Sequence, residues 1–379
     1  MFQSTYSGKA VLVTGHTGFK GGWLSIWLLR LGARVVGYSL EPPTTPCLFE
    51  SSGLAAFLQD VRGDIRDTEK LARVIGETRP DFIFHLAAAP LVLDSYTNPF
   101  ETFDVNVMGT LSVLEAVRRS GSMCSMIAVS TDKCYANREW EYGYREHDPL
   151  GGRDPYSASK AAMEIAVASF RASFFSPNSS ANAGVRVASA RAGNVLGGGD
   201  WASNRIVPDI VPAFHAHEVL SVRSPRAIRP WQHVLEPLSG YMALGAALAS
   251  SEGEKFASAW NFGPNPADVF TVTDLVETIV RVWGSGAWRA NTDLDAPHEA
   301  GLLRLSIDKA TSRLGWRPVW SFEETITRTI RWYSRYLASP EDCSATYASC
   351  VADIAAYESA ACEKGVAWAQ QGIGAAARS

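Results

Sequence analysis

Short apolar runs alternate with segments of helical hydrophobic spacing along the first half of the chain. Six runs of strand length are predicted to form buried strands, at 10–14, 34–38, 57–61, 81–86, 125–130 and 185–190. Apolar positions at helical spacing predict helices between them, at 21–31, 68–77, 100–120 and 156–175. Because strands separated repeatedly by helices build a parallel sheet covered on both faces, the pattern predicts an α/β fold with a doubly wound parallel sheet.

The alternation becomes irregular after residue 192. Glycines cluster at 193–200 and prolines recur beyond them, which predicts a smaller substrate-binding lobe built from 193–234 and 262–340. The chain is expected to cross back to the sheet near 235–261 and to join residues 1–192 there in one nucleotide-binding domain. The alanine-rich segment 341–379 is expected to form either a helical extension or a frayed tail.

Composition and charge exclude several classes of protein. With 46% apolar and 20% charged residues among 379, the chain has the balance of a globular protein, and its net charge of −4 without a basic run argues against nucleic-acid binding. Its apolar runs fall short of the about 20 residues that span a bilayer, and its first residues do not resemble a signal peptide. Six cysteines without a CxxC pair indicate neither a disulfide scaffold nor a zinc site. We therefore expect a cytoplasmic protein with no membrane segment and no metal.

A glycine-rich loop lies between the first predicted strand and the first predicted helix. Its three glycines have the spacing GxxGxxG and enclose a threonine, a phenylalanine and a lysine, so that the predicted cofactor-binding residues of the loop are Gly15, Thr17, Gly18, Phe19, Lys20 and Gly21. Glycine lets the backbone approach a pyrophosphate at the N-terminus of a helix, which predicts dinucleotide binding by a Rossmann-type domain. The alternative is a tight turn in which the glycines are incidental.

Further cofactor contacts are expected at the ends of the next strands. Glu41 lies after the second strand, where an acidic residue would bind the adenosine ribose, and no arginine follows at once to hold a 2′-phosphate, so the predicted cofactor is NAD. Asp64 and Ile65 are expected to contact adenine, although Asp64 could instead cap a helix. The fourth strand ends in residues that would let a dinucleotide lie close, namely Leu86, Ala87 and Ala88.

Tyr156 and Lys160 are the predicted catalytic base and its partner. The spacing i, i+4 places them one turn apart on a helix, where the ammonium group and a cationic nicotinamide would favour the phenolate. Thr131, at the tip of the fifth strand, could hold the substrate oxygen. Asp132 and Lys133 follow it, either as further catalytic groups or as an ion pair that caps the next segment.

These motifs, at 15–21, 130–133 and 156–160, resemble those of the extended short-chain dehydrogenase/reductase family. Three longer stretches, at 130–156, 191–201 and 228–234, narrow the resemblance to the nucleotide-sugar 4,6-dehydratases that act on CDP-glucose. The similarity extends from about residue 9 to about residue 357. In this family, a glutamine is expected where the chain has Ala89 and an arginine where it has Leu93, which leaves the sugar and the nucleotide open.

The resemblance implies a hydro-lyase that turns CDP-D-glucose into CDP-4-dehydro-6-deoxy-D-glucose, a step of deoxysugar biosynthesis such as that of O-antigen. Tyr156 would deprotonate the 4-hydroxyl as NAD oxidises C4, water would leave across C5 and C6, and hydride would return to C6. Asp132 is the expected acid for the departing 6-hydroxyl. Lys133 stands where related dehydratases have a glutamate base, and it would either remove the C5 proton or polarise the ketone.

The smaller lobe is expected to bind the nucleotide diphosphate. Arg205 and Arg229 are the predicted pyrophosphate ligands, since guanidinium binds phosphate oxygens in pairs. Asn194 could donate to a phosphate or a sugar oxygen. Other substrate contacts are expected from Trp201, Trp231 and His233, with ordinary core packing as the alternative for the tryptophans. Asn106 is expected to stabilise the cofactor site through hydrogen bonds to the backbone.

Two other functions compete with dehydration. A nucleotide-sugar 4-epimerase would share the glycine loop, Tyr156 and Lys160 but has no use for an acid such as Asp132. A non-catalytic nucleotide-binding protein of the same superfamily would not need these groups intact. The resemblance implies a homodimer, or a higher oligomer, that pairs through the helices at 100–120 and 156–175. Both helices are apolar on more than one side, which is consistent with burial against the sheet and against a partner.

Overall fold

A computed structural model describes residues 2–176, 182, 184–291 and 301–370. Its centre is a sheet of seven parallel strands in the order β3-β2-β1-β4-β5-β6-β10. Two further pairs of strands, β8 with β11 and β7 with β9, lie outside it. The strands are β1 Ala10–Thr14, β2 Arg34–Ser39, β3 Gln59–Arg62, β4 Phe82–His85, β5 Ser125–Val129, β6 Arg186–Ala192, β7 Val195–Leu196, β8 Val219–Val222, β9 Gln232–His233, β10 Ala259–Phe262 and β11 Ala287–Ala290. The predicted doubly wound parallel sheet is confirmed.

Helices cover both faces of this sheet. They are α1 Gln3–Tyr6, α2 Phe19–Arg30, α3 Leu48–Ser51, α4 Thr68–Thr78, α5 Val92–Thr97, α6 Pro99–Phe103, α7 Thr110–Ser120, α8 Pro155–Phe174, α9 Ile206–His215, α10 Leu235–Ala249, α11 Val272–Trp283, α12 Phe322–Ala338, α13 Cys343–Glu363 and α14 Ala367–Gln370. The helix expected at 100–120 is interrupted by a π-helical turn, Asp104–Gly109, that joins α6 to α7. The third strand begins two residues later than expected because Leu54–Ala56 form a 3-10 turn that ends at Phe57.

The strand order changes direction at β1, which pairs with β2 on one side and with β4 on the other. In open parallel sheets a crevice forms at such a point, outside the carboxyl ends of the strands, and it is the usual site of ligand binding. The glycine loop leaves β1 at this crevice, and β4 and β5 end beside it. The topology therefore places the predicted cofactor and catalytic motifs at one edge of the sheet.

The chain returns to the sheet between the two segments predicted to form the lobe. Helix α10 and strand β10 lie at 235–262, and β10 pairs in parallel with β6 to become the edge strand. Beside them, α9 and α11 accompany the pair β8 and β11. Part of the segment predicted to form the lobe, 292–300, lies outside the described residues.

The C-terminal helix α13 packs against α2, α3 and α12, and Cys350, Ile354 and Tyr357 are buried in the main core. A frayed tail is therefore wrong for 343–370, because each turn of α13 buries apolar area against the nucleotide-binding domain. The expected extension at 371–379 lies outside the described residues. No helix in the described ranges has the length and apolar character needed to cross a membrane.

Candidate active site

A cavity of about 1420 Å³ opens at the crevice and is lined by both the sheet and the lobe. It brings together 21 of the 23 residues predicted to form the site. These are Gly15, Thr17, Gly18, Phe19, Lys20, Gly21, Asp64, Ile65, Leu86, Ala87, Ala88, Thr131, Asp132, Lys133, Tyr156, Lys160, Asn194, Trp201, Arg205, Arg229 and Trp231. Residues from eight separate segments of the chain thus meet in one cavity, and Asn106 and His233 do not line it.

Asn106 acts one layer behind the cavity. Its side-chain oxygen accepts from the Ala89 amide at 2.9 Å, and its Nδ2 donates to the Ala89 carbonyl and to the Ser159 hydroxyl. These bonds tie the segment after β4 to helix α8. The expected backbone hydrogen bonds are present, but direct contact of Asn106 with a cofactor is not supported by its position.

His233 is wrong as a substrate contact. Its ring is buried, packs edge-on against Trp23 and Trp320, and accepts the Leu235 amide through Nδ1. Burial lowers the pKa of this imidazole to about 3, so it stays neutral. Trp231, two residues earlier and outside β9, lines the cavity, whereas both residues of β9 are buried away from it.

The glycine loop is shaped by close backbone contacts. A Cβ on Gly15, whose φ is +77°, would lie 2.7 Å from the amide nitrogen of Ala87, and one on Gly21 would lie 2.1 Å from the Gly15 carbonyl oxygen. Gly18 is the N-cap of α2 and supplies no side-chain cap, so amides of the first turn face the cavity rim without a side-chain acceptor. This cradle fits a pyrophosphate, and a larger residue at Gly15 or Gly21 would force its backbone apart.

Beyond the loop, the cavity reaches two acidic residues at the ends of β2 and β3. Glu41 has 79% of its side chain exposed and lies 3.3 Å from the guanidinium of Arg62. Asp64 accepts the backbone amide and the guanidinium of Arg66, which lowers the pKa of this carboxyl. The alternative of a helix cap at Asp64 is wrong, because the N-cap of α4 is Asp67. Glu41 and Asp64 both line the cavity.

Tyr156 and Lys160 lie on the first turns of α8, both buried. Burial raises the pKa of Tyr156 to about 12, while a hydrogen bond with Thr131 and the charge of Arg205 oppose the rise. Lys160 donates to the carbonyl of Val129 at 3.3 Å, and burial together with the charge of Lys20 lowers the pKa of its ammonium group to about 8. The chain's own groups therefore stabilise the phenolate chiefly through Thr131 and Arg205.

Asp132 is the most unusual carboxyl group in the cavity. Only 2% of the residue is exposed, and one oxygen accepts the Thr131 hydroxyl at 3.0 Å. Oδ2 has no hydrogen-bond partner among the residues that the structure describes. Burial raises its pKa, and the charges of Lys133 and Arg229 only partly offset this. A raised pKa favours the protonated form of a carboxyl group, which is the form that a general acid needs. Lys133 makes no ion pair of 4 Å or less with Asp132 within the described residues, so the alternative of a simple capping pair is not favoured.

Two basic side chains, Lys20 and Arg205, lie near the predicted catalytic groups. Lys20 extends from the glycine loop, and burial together with the charge of Arg205 lowers the pKa of its ammonium group to about 8. Arg205 precedes α9 and donates to Asp200 at 2.9 Å. Asp200 was not singled out in the sequence. The only signal for it is its place at the end of the glycine-rich run that precedes Trp201.

Comparison with known proteins assigns the chain to a family. A family model described as GDP-mannose 4,6 dehydratase matches residues 12–329. A CDP-glucose 4,6-dehydratase of Salmonella typhimurium is 49% identical over 333 residues, which are 88% of this chain and 92% of that protein. The chain belongs to the nucleotide-sugar 4,6-dehydratases. The resemblance inferred from its motifs is thereby confirmed.

Solved structures agree with this assignment at the level of the fold. A crystal structure of dTDP-glucose 4,6-dehydratase from Streptomyces venezuelae, with NAD and TYD bound, has a TM-score of 0.73 and 24% identity, and covers 88% of this chain and 100% of that chain. UDP-glucose 4-epimerase from Thermotoga maritima with UDP-glucose reaches 0.71 at 21% identity, covering 86% and 99%. Dehydratases and epimerases thus share this fold, and only the site can separate them.

The site of this dehydratase has an apolar wall after β4. Leu93 lines the cavity together with Pro90, Leu91 and Val92, whereas Ala89 does not and makes its backbone hydrogen bonds to Asn106. Leu93, where the family is expected to have an arginine, therefore changes the surface of the cavity directly. At Ala89, where the family is expected to have a glutamine, the backbone is held by its hydrogen bonds to Asn106.

A buried ion pair supports the catalytic wall of the dehydratase from behind. Arg191, on β6, donates to Glu164, on α8, at 2.9 Å, and both side chains are almost fully buried. Glu164 also accepts the Ser189 hydroxyl, and Arg191 donates to the Tyr135 hydroxyl. Glu164 follows Lys160 by four residues on the same helix, and this spacing is the only sequence signal that could have indicated it.

Proposed function

We propose that the protein is an NAD-dependent hydro-lyase that converts CDP-D-glucose into CDP-4-dehydro-6-deoxy-D-glucose. The observation that carries this proposal is the buried, partly unpaired Asp132 beside Tyr156, because an acid next to the base is what elimination requires and simple oxidation does not. The 49% identical CDP-glucose 4,6-dehydratase supports the same assignment. The apolar wall at Leu93 leaves a dehydratase for a different nucleotide sugar as the alternative within this class.

The cofactor fits the cradle formed by the glycine loop. Gly15, Gly18 and Gly21 would hold the pyrophosphate, and small residues at Ala87 and Ala88 leave room along β4. Glu41 would bind the adenosine ribose, which favours NAD over NADP. When bound, NAD supplies the chemistry of a hydride acceptor at C4 of the sugar and of a hydride donor at C6.

The chain's own residues would handle the protons. Tyr156 would take the proton of the 4-hydroxyl, with Thr131 holding the same oxygen. Asp132, whose pKa is raised by burial, would give its proton to the departing 6-hydroxyl. Lys133 lines the cavity at its side and would remove the C5 proton or polarise the 4-ketone.

A nucleotide-sugar 4-epimerase remains the second candidate because its fold is the same. Epimerisation moves hydride away from C4 and back to C4, so that no acid for a leaving hydroxyl is needed. Asp132 at the centre of the cavity favours dehydration.

The position of the returned hydride decides between the two reactions. The protein should be incubated with CDP-glucose deuterated at C4, and the product examined by mass spectrometry and NMR. A dehydratase is expected to release water and to place the deuterium at C6, whereas an epimerase would keep the water and return deuterium to C4. Tyr156→Phe should stop either reaction. Assays with UDP-, GDP- and dTDP-glucose test which nucleotide the substrate carries.

We further propose a homodimer through α6, α7 and α8. Large apolar side chains are exposed on these helices, among them Phe100, which is 83% exposed, Met108 and Ile165. Covering them in a second copy of the chain removes apolar area from water. Light scattering at micromolar concentration is expected to give twice the chain mass or a multiple of it.

The cellular setting is proposed from chemistry as well. Buried thiols such as those of Cys124, Cys134 and Cys350 are free, which suits a reducing cytoplasm. A 4-dehydro-6-deoxy sugar nucleotide is an early intermediate of deoxysugar synthesis, for instance that of O-antigen.

A further inference from the structure

The cavity continues past the catalytic groups into the lobe, where its surface changes character. Pro208, Leu220 and Val272 are buried side chains that line it there. The polar residues at the same end are Asp209, Ser221 and Arg223. A nucleobase has two apolar faces and a polar edge, and this end of the cavity offers surfaces of both kinds.

Helix α9 orders the positions along the cavity. Arg205, which precedes the helix, lies near enough to Tyr156 for its charge to act on the phenol. Asp209 follows one helical turn later, farther from the catalytic groups. If the sugar is at Tyr156 and the diphosphate is at Arg205, the nucleoside extends toward Asp209.

Asp209 and Arg223 both make hydrogen bonds to the backbone of Asn204. Asp209 accepts the amide of Asn204 through Oδ1 at 3.1 Å, and the guanidinium of Arg223 donates to the Asn204 carbonyl at 3.5 Å. Burial raises the pKa of Asp209, while the Asn204 amide and the charge of the neighbouring Arg223 oppose this. Within the described ranges, no hydrogen bond satisfies the second oxygen of Asp209. An acceptor and a donor are thus anchored to the same residue, Asn204, and both line the cavity.

We propose that Asp209 and Arg223 read the nucleobase of the substrate and select cytosine. Asp209 accepts a hydrogen bond from the exocyclic amino group, and Arg223 donates to the adjacent ring nitrogen and carbonyl oxygen. Uracil and thymine present a carbonyl oxygen in place of the amino group and an N–H in place of the ring acceptor. The carbonyl oxygen would then face the Asp209 carboxylate, and the ring N–H would face the Arg223 guanidinium. Two acceptors or two donors that face each other disfavour binding.

This inference rests on the proposed function in taking the cavity as a nucleotide-sugar site, and CDP and UDP themselves are the probes. Titration calorimetry should measure their affinities for the wild-type protein, for Asp209→Asn and for the matched control Glu218→Gln. Glu218 lies just after α9, is exposed and does not line the cavity. Asparagine keeps the acceptor for the Asn204 amide, so the variant is expected to fold.

The wild-type protein is expected to bind CDP at least about tenfold more tightly than UDP, since one matched base contact is worth that much. In Asp209→Asn the ratio should fall toward one, because an amide can present either a donor or an acceptor to the base. Glu218→Gln should keep the wild-type ratio. An unchanged ratio in Asp209→Asn, or a wild-type protein that binds both nucleotides equally, overturns the proposal.

A second pair of variants covers the case in which Asp209→Asn does not fold. Arg223→Gln is expected to lose the preference for CDP in the same way, and Arg226→Gln, at an exposed position that does not line the cavity, is its control. If Arg223→Gln and Arg226→Gln show the same ratio of CDP affinity to UDP affinity, the proposal is likewise contradicted.

Dehydration of CDP-glucose, measured separately on the wild-type protein, distinguishes this inference from the proposed function. If CDP binds selectively through Asp209 and no water is lost from CDP-glucose, base selection stands and the proposed reaction is wrong. If water is lost and the CDP preference does not depend on Asp209 and Arg223, the reaction stands and base selection by these residues is wrong. Binding of neither nucleotide contradicts both.

Discussion

Asp132 and Glu236 are two buried carboxyl groups with opposite surroundings. Only 2% and 1% of these residues, respectively, are exposed, and burial raises both pKa values. Asp132 has one accepted hydrogen bond and an oxygen without a partner, and it lines the cavity. Glu236 is not among the residues that line the cavity, and both of its oxygens accept hydrogen bonds.

The partners of Glu236 come from distant parts of the chain. It accepts the amide of Trp320 at 2.7 Å, the amide of Val319 and the hydroxyl of Tyr357 at 2.6 Å. The carboxyl group thereby fastens α10 to the segment before α12 and to the C-terminal helix α13. Its donors satisfy it without water or ligand.

The comparison shows that burial of a charged group does not by itself indicate function. Asp132 and Glu236 have nearly the same accessibility and the same direction of pKa shift. What differs is whether the lone pairs are satisfied by the protein, since an unsatisfied buried oxygen is costly unless something else uses it. The unpaired oxygen belongs to the active site, and the paired ones hold the fold together.

Asp132→Asn should have the largest effect on activity. General acid catalysis contributes about 10²–10⁴-fold, so the turnover of CDP-glucose is expected to fall by that factor while the protein keeps its stability. Steady-state kinetics and a thermal melt measure the two quantities. Glu236→Gln is the matched control, because it removes a carboxyl group from the other site and should leave turnover near the wild-type value. Equal losses of turnover in both variants would remove the distinction drawn between the two sites.

Glu236→Ala should have the reverse effect. It leaves two backbone amides and the Tyr357 hydroxyl without their acceptor, at about 1–3 kcal/mol for each group, so the free energy of unfolding is expected to fall by about 4 kcal/mol. Urea unfolding measures it, and turnover below the melting range should persist. Glu277→Ala, at an exposed position of α11, is the control and should change the free energy of unfolding by less than about 0.5 kcal/mol. If Glu236→Ala and Glu277→Ala were equally stable, the hydrogen bonds accepted by Glu236 would contribute nothing to stability.

The pH dependence of stability gives a smaller but more specific effect. Burial raises the pKa of Glu236 from 4.5 to about 7, so the folded state binds this proton more strongly than the unfolded state does. The proton on Glu236 therefore stabilises the folded state by at most about 3 kcal/mol. This contribution is fully present below about pH 4.5 and is lost as the pH rises through 7. Burial also raises the pKa of Asp353 to about 6, which acts in the same direction.

The difference between two melting curves isolates Glu236. In Glu236→Gln the group cannot ionise, so the melting temperature should decline less between pH 5 and pH 7.5 than that of the wild-type protein. Asp353 is present in both proteins and its contribution cancels. Parallel declines would mean that Glu236 ionises in the folded protein as easily as in the unfolded chain.

Much of the active site could be predicted from the sequence because it depends on spacing within single elements. The glycines of the cofactor loop and the pair Tyr156 and Lys160 are each placed by one turn or one helix. The polar tip at Asp132 follows a strand, and the carboxyl ends of parallel strands converge at one edge of the sheet. Element type and order were therefore enough to bring these groups together.

Other features were decided only by the tertiary structure. His233 looked like a substrate contact and is a core residue. Glu236 accepts a hydrogen bond from Tyr357, 121 positions away in the chain, and Asp209 and Arg223 both bind the backbone of Asn204. Local periodicity does not predict such contacts, because the two partners lie on different secondary-structure elements. The distance between those elements depends on how the helices pack. The sequence by itself determined the fold, the cofactor cradle and the catalytic edge, whereas the three-dimensional packing decided which buried polar groups are satisfied, and hence which are free to act.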